Sequence, residues 1–208
     1  MAGVVGSTPV SMAAVHVAVT LTIGYLLGSL PIAAVVARRH ARVDLRAVGD
    51  RNPGYWNAKE TLGRRAAVPV FVGDALKGAL AAGIGIALAP PGDWWLAYLG
   101  AFAAMVGHAW PVFSRFRGGR SVLTFGGAVC VLSPITAAIC IGALLVVTAI
   151  HSFAWGARVA VFGFPLVQLF VDGPHRTAAT GCLMTLIGVR FAQAALSRTS
   201  DPATSGGG

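Results

Sequence analysis

The chain has 208 residues, 56% of them hydrophobic and only 11% charged, with a mean hydropathy of +0.73 and a formal net charge of +9. A soluble domain carries about a quarter charged residues, so a water-facing fold of this length would expose large apolar patches and aggregate. Composition therefore excludes a soluble enzyme and predicts an all-α, polytopic membrane protein whose surroundings are lipids, with no nucleic-acid partner expected.

The first apolar run, roughly 12–37, lacks a basic leader and far exceeds the ~7–15 residues of a signal core, so it is expected to remain as a span. Gly24 and Gly28 within it have the GxxxG spacing that lets helix backbones approach in lipid. A basic loop follows, holding eight of the sixteen Lys and Arg residues (Arg38, Arg39, Arg42, Arg46, Arg51, Lys59, Arg64 and Arg65). Further spans are predicted at about 67–89, 94–113, 134–151, 153–171 and 177–197, by the criterion of ~20 apolar residues. A shorter run at 122–132 raises the count from six to seven.

Charge decides between the two. Loop one and the loop carrying Arg115, Arg117 and Arg120 attract a cytoplasmic assignment, whereas APPGDWW between the second and third spans has no cation. Seven segments place Arg158 and Arg198 inside as well, with the N-terminus outside; six would strand both. Residues 1–198 then form a single transmembrane domain, and 199–208, TSDPATSGGG, read as a disordered polar tail. Cys130, Cys140 and Cys182 are odd in number, lie in apolar runs and lack CxxC spacing, so neither a disulfide framework nor a metal site is expected.

Three polar clusters remain, all at the predicted cytoplasmic face. VDLRAVGDRNPGYWN, 43–57, joins an Asn-Pro-Gly turn to Arg46 and Arg51, whose planar forks suit phosphate, and contains Gly49 and Gly54. GDALKG, 73–78, puts Asp74 and Lys77 inside a span, where one charge costs ~2.5–3.5 kcal/mol; at i, i+3 they share a face and can pair. GHAWPVFSRFRGGRSVLT, 107–124, ends a span at His108 and Pro111. Gly118 and Gly119 then offer successive N–H groups as an anion nest, with Arg120, Ser121 and Thr124 around them. These features describe a site for a phosphate-bearing molecule beside the acyl region. They do not choose between an enzyme and a lipid-binding or transport protein.

The motifs resemble those of the PlsY family, the bacterial acyl-phosphate:glycerol-3-phosphate acyltransferases, over about residues 22–125. GSLP at 28–31 is followed by Asp44 and Arg46, then by GDRNPGYWN, which is similar to the family's GSGNPGATN. DALKG at 74–78 resembles its second motif, and 107–124 follow its third, GHxFPxFxxFxGGKGVAT. The resemblance implies a seven-helix inner-membrane enzyme with its site at the cytoplasmic face. It would transfer a fatty acyl group from acyl phosphate to sn-glycerol 3-phosphate, using no cofactor. It also implies Arg46, Lys77 and His108 as catalytic residues, and Ser29, Asn52, Gly54, Asn57, Gly118, Gly119 and Thr124 as substrate-binding, with Arg120 in the place of the motif's lysine; Ser121 joins the substrate-binding set from the anion nest.

Departures from the pattern are specific. Asp50-Arg51 replace Ser-Gly, Tyr55-Trp56 replace Ala-Thr, and Arg120-Ser121 replace Lys-Gly. The family's serine near the fifth–sixth junction falls at about Trp155, and its C-terminal His and Asn fall near 189–192, which read VRFA. Two alternatives therefore stay open: a related acyltransferase whose acceptor pocket is reshaped by Tyr55 and Trp56, and a non-catalytic lipid-binding homologue.

Overall fold

The structure is a computed structural model that describes residues 11–199, and among those residues all regular structure is helical. The N-terminal ten residues and the expected tail from Ser200 onward lie outside the described residues. The first apolar run is not one helix. α1 (Met12–Ser29) stops at Leu30, and α2 (Ile32–Ala41) begins after Pro31. Proline lacks an N–H and crowds the preceding turn, forcing the residue before it out of the helical region; Leu30 accordingly sits at φ −59°, ψ 123°.

The basic loop contains a helix of its own, α3 (Tyr55–Leu62), before α4 (Arg64–Leu88). Next come α5 (Trp95–Ala109), a 3₁₀ turn at Val112–Ser114, α6 (Val122–Leu132) and α7 (Pro134–Ile150). Phe153–Val171 form α8 and Pro174–Thr199 form α9. Ser133 alone separates α6 from α7, because Pro134 opens the next helix where its missing N–H costs nothing. Among the described residues five helices are long and apolar enough to cross a membrane, counting Met12–Ala41 as one, while α6 and α7 are shorter apolar helices.

The packing is that of a membrane protein: polar groups point inward and apolar ones outward. Phe170 is 88% exposed, Phe162 70% and Leu145 62%, whereas Asp74, Lys77, Thr124 and Gln168 are buried. An open apolar surface of this kind is stable in hydrocarbon and unstable in water. Small residues allow the helices to approach. Gly24 and Gly28 face the α5 backbone at Gly100 and Ala104, and a side chain at Gly78 would overlap the Thr124 carbonyl on α6. Gly127 faces Ala75 of α4 in the same way. The α4–α6 crossing is thus close enough to bring Lys77 and the start of α6 together.

At one end of the bundle, Gln168 on α8 donates to Tyr98 Oη on α5 (3.1 Å) and Ser133 Oγ (2.6 Å). Tyr98 Oη also lies 3.4 Å from Thr180 Oγ1 on α9, and Thr136 on α7 donates to Asp172 (3.0 Å). Ten residues along α5, about 15 Å by helical rise, lies His108. The polar sequence clusters gather at that opposite end.

Candidate active site

The site begins with the break at Pro31. The Leu30 carbonyl, released from the helical ladder, accepts a hydrogen bond from Lys77 Nζ at 3.3 Å. The same ammonium lies 2.9 Å from Asp74 Oδ1, one turn back on α4, and both side chains are nearly inaccessible. A charge in a protein interior is tolerable only when paired and hydrogen-bonded. Asp74 and the freed carbonyl meet both conditions. His108 Nδ1 is 3.6 Å from the same carboxylate oxygen, too far for a hydrogen bond but close enough for its field.

Arg46, Asp74, Lys77, His108, Gly118 and Gly119 line one cavity of about 30 Å3, with Leu30, Pro31, Ser114 and Arg117 also in its wall. Such a volume admits a few water-sized groups. It shares Pro31, Ala34, Arg46, Ser114 and Arg117 with a vestibule of about 570 Å3, in which Arg38, Arg46, Arg115 and Arg117 face a single carboxylate, Asp44. The Asp44 side chain accepts the Arg46 backbone N–H at 3.0 Å, and Arg46 Nε is buried without a partner among the described residues.

The remaining predicted site residues stand around this cavity without lining it. Ser29 is buried at the α1–α5 contact, donating to Gly107 O at 3.5 Å. Asn57 serves its own loop: Nδ2 donates to Leu45 O (2.8 Å) and Val48 O (3.0 Å), and Oδ1 accepts from Thr61. Asn52 donates its backbone N–H to Asp50 Oδ1 at 3.1 Å, an Asx turn. Gly54 caps α3 in extended conformation (φ −126°) that any residue adopts, whereas Gly49 has φ +59° and abuts Asn57. Ser121 donates to Met105 O at 2.7 Å, and Thr124 lies buried beneath Gly78.

The anion nest expected at Gly118 and Gly119 is overturned. Gly118 N–H donates to Ala109 O (3.2 Å) and Gly119 N–H to His108 O (3.1 Å), so neither amide points at a ligand. The glycines serve close approach instead: a side chain at Gly118 would overlap the His108 carbonyl, and one at Gly119 would strike His108 Nε2. Two of the sequence departures compensate each other, because Arg120 Nη1 pairs with Asp50 Oδ2 at 3.2 Å and ties the 43–54 loop to this turn. Tyr55 and Trp56, weighed above as reshaping an acceptor pocket, face other neighbours. Tyr55 packs edge-on against Phe71 and Trp56 stacks on Phe153 of α8, and neither borders the cavity or the vestibule.

One contributor was missed. Arg190 of α9 reaches across to the glycine turn, donating from Nε to Gly119 O (3.1 Å) and from Nη2 to Gly118 O (2.9 Å). Its signal was available in the sequence, since an arginine within the last apolar run is as costly there as Lys77 is in the second.

A family model described as glycerol-3-phosphate acyltransferase matches residues 18–198. The chain belongs to that family. Named members include the glycerol-3-phosphate acyltransferase of Halalkalibacterium halodurans, 39% identical over 150 residues that make up 72% of this chain and 70% of that one. The Clostridioides difficile enzyme of the same name is 37% identical over 153 residues, 72% and 75% of the two chains. Among solved structures, PlsY, an integral membrane glycerol 3-phosphate acyltransferase, superposes in its glycerol 3-phosphate form with a TM-score of 0.74 at 31% identity, covering 85% of this chain and 88% of that one. Its lysophosphatidic acid form gives 0.72 at 28% identity, covering 84% and 87%. The family is the one to which the sequence motifs pointed.

Proposed function

We propose that this chain transfers a fatty acyl group from acyl phosphate to the 1-hydroxyl of sn-glycerol 3-phosphate, releasing lysophosphatidic acid and inorganic phosphate. The convergence of Arg46, Lys77 and His108 on one cavity, from three separate stretches of chain, is the observation that most supports this reading. Solved PlsY structures with glycerol 3-phosphate and with lysophosphatidic acid agree with the acceptor and the product.

Acyl phosphate is a mixed anhydride whose leaving group is already activated, so the reaction needs no nucleophilic serine or cysteine. The acceptor oxygen forms a bond to the acyl carbon, the carbon–oxygen bond to phosphate breaks, and phosphate leaves with the electron pair. The protein has to hold two anions close together and stabilise the oxyanion that develops. Arg46, with an unpartnered buried Nε, and the fixed Lys77 ammonium suit that work. His108, or an oxygen of a substrate phosphate, takes the hydroxyl proton. Arg38, Arg115 and Arg117 in the vestibule concentrate phosphate-bearing substrates at the entrance.

The same proposal places the site at the cytoplasmic face of the bacterial inner membrane, with seven crossings and the N-terminus outside. Alternating helix ends support the count. Phe153 at the start of α8 meets Trp56 at the motif end, Asp172 at its finish meets Thr136 at the far end, and α9 returns to place Arg190 on the glycine turn. α6, at 11 residues and about 16 Å, makes the shortest passage.

The test uses purified protein in micelles with acyl phosphate and glycerol 3-phosphate, following phosphate release and lysophosphatidic acid together. Turnover that is abolished by both Arg46→Ala and Lys77→Ala is expected. No turnover by the unaltered protein, or undiminished turnover in both variants, overturns the reading.

A further inference from the structure

We infer that Arg190 is a positioning residue: its guanidinium, gripping the Gly118 and Gly119 carbonyls, presses the glycine turn against His108 and so sets the orientation of that imidazole. Both carbonyls are held by one planar fork, at 2.9 and 3.1 Å. The third nitrogen, Nη1, donates to Gln193 Oε1 at 2.8 Å, and the guanidinium lies 5.1 Å from the Trp110 ring centroid. Every nitrogen of the group is therefore engaged and its plane is fixed. The residue stands well inside α9, nine positions before the last helical residue, Thr199. An arginine that served only as an interfacial anchor would extend toward the headgroups. This one reaches across the bundle to the turn between α5 and α6.

The turn is held from both sides. Its amides donate to His108 O and Ala109 O, and its carbonyls accept from Arg190. Gly119, lacking a side chain, packs directly on His108 Nε2, so a displaced turn changes what the imidazole touches. The neighbouring Phe191 ring lies 4.7 Å from the Arg120 guanidinium, extending the grip by one residue on each partner. Lysine carries its three donors on one rotating nitrogen and cannot hold the two carbonyls in the fixed plane that the guanidinium fork imposes.

The activity readout rests on the acyl-transfer reading; a second readout does not. Full-length Arg190→Ala and Arg190→Lys are compared with the unaltered protein in micelles. Both are expected to lose about 10- to 100-fold in kcat, as residues that orient a working group typically do, with little change in KM for glycerol 3-phosphate. Added guanidinium ion restores turnover to Arg190→Ala and not to Arg190→Lys. In protein labelled with 13C-histidine, both substitutions shift the His108 ring signal, assigned by its loss in His108→Ala.

Near-normal kcat in either folded variant, or an unmoved His108 signal, overturns the inference. So does a loss of turnover that tracks a lowered melting temperature and resists guanidinium, or a failure of both variants to fold, since each describes a purely structural residue. If the unaltered protein shows no turnover, the His108 signal decides alone, and the failure belongs to the acyl-transfer reading.

Discussion

Replacing Lys77 with methionine removes a buried charge and leaves its counter-ion behind. Asp74 and Lys77 stand 2.9 Å apart with side-chain exposures of 3% and 4%. At an effective dielectric of about 20, Coulomb's law gives roughly 6 kcal/mol of attraction at that distance, most of it offset by the desolvation of both ions. The pair as a whole therefore adds little to stability, whereas stranding one member costs about 3–5 kcal/mol. For a chain of this size the loss lowers the melting temperature by on the order of 10 °C. Lys77→Met/Asp74→Asn, which discharges both sites, recovers most of that loss while remaining inactive. Thermal unfolding in one detergent, scanned for both variants and the unaltered protein, measures the difference. Should Lys77→Met melt within a degree or two of the parent, or the double variant melt no higher than the single, the account of a mutually dependent buried pair is refuted.

Gly78→Ala places a methyl against the Thr124 carbonyl and should cost about 1–3 kcal/mol by overpacking. Gly83→Ala on the same helix meets open space and should stabilise by up to about 1 kcal/mol, so paired melting curves separate packing from propensity. Asn57→Leu removes the donors that hold Leu45 O and Val48 O; a loss of about 2 kcal/mol and faster proteolysis within 43–54 are expected. Arg42→Gly, at a helix end with φ +55°, should raise stability by about 1 kcal/mol in the same melting assay by relieving a left-handed backbone.

Hydropathy located the long helices well because a segment that crosses hydrocarbon is apolar on whichever face it turns, to lipid or, as for most of α5, to other helices. The 122–132 and 153–171 runs coincide with α6 and α8. It was blind to the break in the first run, where the averaged hydropathy stays high across Ser29 and Pro31; the signal there was Pro31, a backbone effect that hydropathy does not register. α3 was hidden inside a stretch read as a connection, since eight residues make too short a run to show a period. At the site, the pairing of Asp74 with Lys77 followed from i, i+3 spacing alone. The destination of the Gly118 and Gly119 amides did not, because a sequence says that two donors exist and leaves open what accepts them. Asp50 and Arg120 looked like separate departures from a motif, and only their separation of 3.2 Å shows one offsetting the other.

The two ends of the bundle differ in how they are fastened. Away from the site, Gln168 bonds to Tyr98 and Ser133 while Tyr98 meets Thr180, a knot of side chains that locks α5, the α6–α7 corner, α8 and α9 at a single level. At the cavity end, beside the buried Asp74–Lys77 pair, the loops are pinned at discrete points: Asp50 to Arg120, and Arg190 to the 118–119 turn. A substitution in the knot therefore disturbs four elements at once, whereas one at a loop pin disturbs two.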